Sequence, residues 1–409
     1  MTADSGRAAD SSTDLRGASA DRVRAALRDG DPLPGGRGFA GLLADSPVRG
    51  GDGGPVLVRD ALGRQPLFVE RAAPTPTASG AWSFDRVDLV DPEPVPAGNV
   101  VSADGPGIDG ATRIWTLPAE EPVDPEPGQA AVDAAIDEAL SGLAADGDGV
   151  GGASIDGGGD GLAVAFSGGV DSGLVAAAVP DAPCYVAGFE GCHDVAAARD
   201  AADAADRDVD LRVVEITHED LVRAVRAVAD ATGRRNPMDV AIGVPLYLTA
   251  EAAAADGATR LAVGQGADEL FGGYSKVASP VGDDRVAAET VRGARTETVR
   301  TLPGQLERDV LALRAAGVEP VAPLLDDGVV RAALALPGEL LAADGERKIA
   351  LRRAATGSVP ESVRTADKKA VQYGTYVSRE LDRLARQAGF KRRMDDHVGQ
   401  YLDALLSEE

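Results

Sequence analysis

The 409-residue sequence is poor in cysteine, lysine, histidine and aromatic side chains. Its two cysteines, Cys184 and Cys192, are too few for a disulfide framework in a chain of this length and fit a reducing compartment. No run of 18 or more apolar residues occurs, and Met1 to Asp14 is polar and acidic, with neither a basic n-region nor an apolar h-region. These absences argue against a disulfide-stapled secreted domain and against a membrane partner, so a cytoplasmic location is expected. Five lysines (Lys276, Lys348, Lys368, Lys369, Lys391) stand among 41 basic residues, so any lysine at a chemically suggestive position carries weight.

What is abundant is acid. The formal net charge is −25, while 44% of residues are apolar, enough to bury a core in each of two or three domains. Acidity of this kind opposes binding to nucleic-acid phosphates. High Asp and Glu, scarce Lys and abundant Ala and Gly also resemble proteins of the halophilic type. In molar salt charges are screened within about 3 Å, and net charge then says little about partners.

Residues 1–120 are rich in Gly, Pro and Asp, with short apolar runs such as Pro55-Val-Leu-Val-Arg59 and Pro66-Leu-Phe-Val-Glu70. They predict a small β-rich domain. A Pro/Glu linker, 118–127, leads to a helix near Ala130 to Leu143, and Ala145 to Gly161 reads as a flexible surface loop, so that 121–160 is linker and helix. From Leu162 strands alternate with helices: strands at Leu162–Phe166, Pro183–Phe189, Val209–Ile216 and Arg260–Val263, helices at Ser172–Val179, Asp194–Arg207, from the cap Thr217-His-Glu-Asp220 to about Ala231, and after Pro245 to Ala255. The fold class expected is α/β, a parallel doubly wound sheet spanning 161–330, with a helical part over 331–409. Such sheets bind ligands at the carboxyl ends of their strands.

Phe166-Ser-Gly-Gly-Val-Asp-Ser172 lies between the first strand and its helix, where a phosphate loop would sit. Two glycines let backbone N–H groups approach an anion, Ser167 and Ser172 add hydroxyls, and the helix N-terminus adds its dipole. Asp171 would repel bare phosphate unless a cation intervenes, which implies Mg²⁺ on a polyphosphate. The Gly-Lys-Ser/Thr ending of a Walker loop is missing, so a different nucleotide chemistry is indicated.

S-G-G-x-D-S resembles the signature of the ATP-pyrophosphatase (PP-loop) family, which cleaves ATP between its α and β phosphates. Gly264-Gln-Gly-Ala-Asp-Glu-Leu-Phe-Gly-Gly-Tyr274 resembles the block that sets asparagine synthetases and β-lactam synthetases apart within it. Val186-Ala-Gly-Phe189 with Asp194, Val244-Pro-Leu-Tyr, Pro320-Val-Ala-Pro-Leu-Leu-Asp326 and Gly345-Glu-Arg-Lys-Ile-Ala-Leu-Arg352 extend the likeness over about Ala130 to Tyr376. The resemblance implies an adenine-nucleotide α-hydrolase-like fold and the cofactors ATP and Mg²⁺. It further implies that Ser167, Gly168, Gly169 and Ser172, with Val170 in the same loop, hold pyrophosphate. Asp171 and Asp268 would ligate the metal, Ala165, Ala187 and Gly264 would line the adenosine pocket, and Lys348 would reach the phosphates. Lys348, Asp171 and Gln265 are the catalytic candidates.

Two departures from the family pattern narrow the functional expectation. Asparagine synthetases carry Gly-Glu-Gly where this chain has Gly264-Gln265-Gly266, and an amide cannot act as a base. Either another group does that work or the substrate differs. Glutamine-dependent members need a cysteine directly after the initiator methionine, but here Thr2 stands there and no cysteine precedes Cys184. Val58-Arg-Asp-Ala-Leu-Gly-Arg-Gln-Pro-Leu-Phe68 and Val95-Pro-Ala-Gly98 nevertheless resemble glutaminase-domain segments, which implies a shortened domain without that activity. The expected function is an AMP-forming ligase that adenylates an acid, by default aspartate, and amidates it with ammonia, alone, as a homo-oligomer or beside a separate amidotransferase subunit. Two alternatives stand: an adenylating enzyme acting on tRNA or another metabolite, and a non-catalytic assembly or regulatory subunit. Residues 364–393 hold nine Lys/Arg against three Asp/Glu and are either a helix balancing the acidic body or a site for tRNA or another anion. Cys192-His193-Asp194 lacks a second ligand group for a metal.

Overall fold

Glycine and proline punctuate the first 119 residues so tightly that no strand among the described residues there exceeds four residues. The computed structural model describes residues 13–47, 53–103, 105–145, 161–280, 283, 285–366 and 371–407, and the chain divides into two units, Met1–Ala119 and Glu120–Glu409. Thr2, most of the glycine-rich stretch before Gly161, and Lys368 and Lys369 lie outside the described residues.

In the first unit, β1 (Asp14–Arg16), β2 (Ala40–Leu43), β3 (Val56–Arg59), β7 (Asn99–Ser102) and β8 (Ala111–Arg113) form an antiparallel sheet in that order. A second sheet has the order β5-β4-β6, from β4 (Phe68–Glu70), β5 (Trp82–Ser83) and β6 (Pro92–Pro94). Alternation along β3 explains its unbroken apolar run: Val56 and Val58 pack with Phe39 and Trp115, while Leu57 faces Leu67, Val69 and Phe84. A helix not expected from the sequence, α1 (Ala20–Asp29), covers the first of these faces. Ser19 caps its start and Gly30, at φ 70°, ends it. The segments Val58–Phe68 and Val95–Gly98 meet. The buried Arg59 guanidinium donates to the carbonyls of Val95 (2.7 Å) and Gly63 (3.1 Å), and the N–H of Gly98 donates to Asp60 O at 2.9 Å.

The second unit is built on a five-stranded sheet of order β11-β10-β9-β12-β13, every pair parallel. Its strands are β9 (Leu162–Ala165), β10 (Cys184–Gly188), β11 (Leu211–Glu215), β12 (Arg260–Ala262) and β13 (Glu319–Val321). The chain starts at the centre, moves outward through β10 and β11, then returns to β12 and β13 on the other side. Right-handed crossovers therefore put the intervening helices on both faces, and strand order reverses between β9 and β12. Between the strands run α3 (Val170–Ala178), α4 (His193–Ala204), α5 (His218–Thr232) and α6 (Pro237–Ala255), with α2 (Pro125–Ala145) ahead of the sheet.

Three local expectations are corrected. The last two linker prolines belong to α2, since Pro125 and Pro127 sit in the first turn, where a missing N–H costs nothing. Pro245 lies inside α6, which begins at Pro237 under an Asn236 cap. The kink it would cause is offset by burial of the helix on both sides of it, and Gly243 brings α6 so close to α5 that a Cβ there would lie 2.7 Å from Val228. α6 is long and apolar enough to cross a bilayer, but half of it is buried among α5 and the sheet, as a core helix is. β13 is not among the strands expected from the sequence. That strand tolerates Pro320 because it is the sheet edge.

Candidate active site

At the strand-order reversal, the turn after β9 and the turn after β12 face each other. The first, Ser167-Gly168-Gly169, runs into α3 with Gly169 as N-cap, a residue with no side chain to cover the N–H groups of the first turn. Gly168 has φ 73°, and a Cβ there would overlap the backbone of Ala197 in α4, so glycine is required on both counts. The serines close the loop on itself. The Ser167 N–H donates to Ser172 Oγ at 3.2 Å, and Ser172 Oγ donates to Gly169 O at 3.2 Å. Val170 and Ser172 are buried beneath it. On the other side Gly264 follows β12, and a Cβ on it would come 2.9 Å from Asp171 Cβ and 3.2 Å from Ser172 N. The two turns therefore touch.

Lys348 bridges them. Its Nζ donates to Asp171 Oδ2 at 2.6 Å and lies 2.7 Å from Asp268 Oδ1. Asp268 sits in the first turn of α7 (Ala267–Phe271), which opens at Gly266 in the left-handed region. Lys348 is delivered by a hairpin, Ala342–Ala343 paired with Glu346–Arg347, and itself has φ 57°, a strained backbone for a residue with a side chain. Arg347 ties that hairpin down by donating to Gly273 O at 2.7 Å. A Cβ on Gly273 would overlap both the Asp268 carboxylate and the Lys348 stem. Burial alone would lower the Lys348 pKa, but the charges of Asp171 and Asp268 and their hydrogen bonds outweigh it and hold the ammonium firmly protonated.

The remaining sequence-predicted residues divide. Ala165 ends β9 beside Tyr185 on β10, and Ala187 lies within β10, its methyl in the core with Leu221 and Val244, so only its backbone is available to a ligand. Gln265 turns to a residue outside the sequence-predicted set: its Nε2 donates to Asp309 Oδ2 at 2.8 Å. Asp309 is in the helix Leu302–Ala315, flanked on its buried face by Leu306 and Leu313. That spacing, an acid at a core position of an amphipathic helix, was the available signal. Glu269 and Tyr274 belong to the Gly264–Tyr274 block without a sequence-predicted role. The Tyr274 hydroxyl donates to Glu269 Oε1 at 2.5 Å, and burial, with the neighbouring Asp268 charge, pushes the Glu269 carboxyl up to about 7.

Away from the crevice, His218 contacts the buried Glu380 (2.8 Å), which Arg379 and Arg383 also engage. Arg386, Arg392 and His397 gather on Asp382. These cations of the basic segment are engaged by its own acids. Asp194 lies under Gly374, where a Cβ would overlap its carboxylate. Cys184 and Cys192 are buried free thiols. A cleft of about 180 Å³ at Glu215, Asp220, Arg223 and Glu251, and an open one of about 500 Å³ at Gln129 and Arg353, contain none of the sequence-predicted site residues. In the crevice the Lys348 ammonium lies between the two carboxylates.

Asparagine synthase is the description of the family model that matches residues 161–295 and 284–407. A curated relative, the putative asparagine synthetase [glutamine-hydrolyzing] 1 of Methanocaldococcus jannaschii, is 28% identical over 284 residues, which is 60% of this chain and 51% of the relative. The chain thus spans about half the length of that relative.

Proposed function

The chain belongs to the asparagine synthase family, and on that premise we propose that it is an ATP-dependent ligase that forms an acyl-adenylate and then an amide. One observation carries the reading. Asp171, Asp268 and Lys348, from three separate segments, meet at the strand-order reversal with Nζ 2.6 and 2.7 Å from the two carboxylates.

The donor set fits a hard divalent cation, since two carboxylates already converge on one positive charge. Asp171 and Asp268 would hold Mg²⁺, which supplies neutralisation of polyphosphate charge. The uncapped N–H groups of α3 and the turn at Gly168 cradle the anion. Asp171, on the first turn of α3, is placed beside it. A substrate carboxylate oxygen attacks the α-phosphorus, the bond to the bridging oxygen breaks, and pyrophosphate leaves. Lys348 shifts from the carboxylates to the phosphate oxygens on which charge builds, a type of contact worth about 10²–10³ in rate. Ammonia then attacks the acyl carbon, a proton passes from its nitrogen to solvent and AMP departs, leaving the amide. Ammonia is the default nitrogen donor and aspartate the default acid.

ATP–pyrophosphate exchange in molar KCl tests this. Aspartate-dependent exchange, with AMP and asparagine formed on adding ammonium and both abolished in Asp171→Asn, is the expected result. Exchange that depends on tRNA instead, or no turnover with any acceptor, would sink the reading.

A further inference from the structure

Position 265 is one residue from the contact between the two facing turns, and its side chain is not loose. The Gln265 Nε2 donates to Asp309 Oδ2 at 2.8 Å, while Asp309 Oδ1 accepts from Arg308 Nε at 2.7 Å. Arg308, itself buried, continues to Asp239 Oδ1 at 2.8 Å. Asp239 is held in turn by Arg234 at 3.1 Å and by the Asn236 amide at 2.7 Å, at the start of α6. A network buried at Arg308 and Asp309 thus ends at the amide of Gln265. Burial pushes the Asp309 carboxyl above its ordinary range, and the adjacent Arg308 charge opposes that shift.

The direction of the amide follows from donor chemistry. An ionised carboxylate only accepts hydrogen bonds, so the face of the amide turned to Asp309 must be its NH₂, and the carbonyl oxygen is the face left over. A glutamate at 265 would set two carboxylates at hydrogen-bond distance, and like charges that close cannot both ionise. Residues 265 and 309 are therefore matched as a pair: one amide, one carboxylate.

We propose that Asp309 is the positioning residue for position 265, fixing the Gln265 amide so that it offers the crevice a neutral acceptor that selects and orients an N–H-bearing nucleophile. The proposal rests on the ligase reading for its substrate and on the hydrogen-bond geometry for the pairing. Gln265 accepts a hydrogen bond from the attacking nitrogen and does not take its proton. Glutamate at 265 alone consequently fails to restore an acidic site; the residue at 309 must change with it.

The test is a cycle of Gln265→Glu, Asp309→Asn and the double variant in the full chain. Calorimetric midpoints in molar KCl address the pairing. The expected result is a fall for Gln265→Glu at pH 7.5 that shrinks toward pH 5, and recovery of most of it in the double variant. Additive midpoints would overturn the pairing. Rates with L-aspartate and ammonium chloride address selection. Asp309→Asn is expected to raise the KM for ammonium about tenfold while aspartate-dependent exchange changes by less than about threefold. Equal losses in both half-reactions, or an unchanged KM, would reduce Asp309 to a structural role and overturn selection. Wild-type protein that shows no exchange would remove the ligase reading and with it the selective role, and the midpoints would still decide the pairing.

Discussion

Ion pairs with a largely shielded cation occur in both units, built differently. In the first unit Arg64 and Asp60 are four residues apart, both almost fully buried, and Asp60 also accepts from the N–H groups of Leu62 and Arg64. These bonds all fall within one turn. In the second unit Lys348 and Asp171 are 177 residues apart, and the Asp268 carboxylate that completes the cluster is half exposed. That cluster sits on a strained backbone at the carboxyl ends of the strands. A charge satisfied by its own neighbours fixes a turn, whereas charges brought together from distant segments, and left open to solvent on one side, can exchange partners when a ligand arrives.

The largest effect expected from this contrast is Lys348→Met. Pyrophosphate exchange should fall by roughly 10³-fold, about 4 kcal/mol, in a protein that still folds. Its two carboxylates would then lose the Lys348 ammonium, so added MgCl₂ without nucleotide should raise the unfolding midpoint of the variant and not of the wild type. Equal Mg²⁺ responses would show that Lys348 does not stand where a cation goes. Next is Asp60→Asn, which removes the buried carboxylate charge paired with Arg64 and should cost about 3 kcal/mol of stability, read by denaturant titration. The contrast between the units breaks if that variant loses exchange activity before any unfolding is visible. Third is Gly273→Ala, whose methyl would displace Asp268 and Lys348 together. Exchange should drop by about 10²-fold, and near-normal exchange would mean that the hairpin bearing Lys348 moves freely.

Sequence made the local parts of the site legible and the gathered parts partly so. The turn Ser167–Gly169 could be read because strand, glycines and helix are consecutive, and the turn after β12 because Gly264 to Tyr274 is one continuous block. Lys348 stood out by scarcity, but nothing local announces its left-handed backbone, at φ 57°. β13 escaped because three residues with a central proline carry no strand period, and only the neighbouring β12 makes them a strand. Asp309 escaped for a related reason. Its partner lies 44 residues away, and charge at a buried helical position tells that a partner exists, not which one.

The smallest effect concerns a polar group that is neither closed in the core nor gathered at the crevice. Thr217 and Asp220 form a capping box at the start of α5: the Thr217 Oγ accepts from the Asp220 N–H at 3.1 Å, and Asp220 Oδ2 accepts from the Thr217 N–H at 3.2 Å. Hydrogen bonding from the Thr217 hydroxyl is the main reason the Asp220 carboxyl is held below its usual range. Thr217→Ala should cost about 1 kcal/mol, a midpoint shift of about 2–4 °C for a unit of this size. A depressed carboxyl pKa stabilises the fold above the unfolded-state value near 3.9 and stops doing so as pH falls through the folded one. The gap between variant and wild type should therefore be widest at neutral pH and narrow on acidification, with exchange activity untouched throughout. A loss of exchange in this variant would place the carboxyl end of β11 within the working site, and the division between locally satisfied and gathered charge would then no longer separate stability from function.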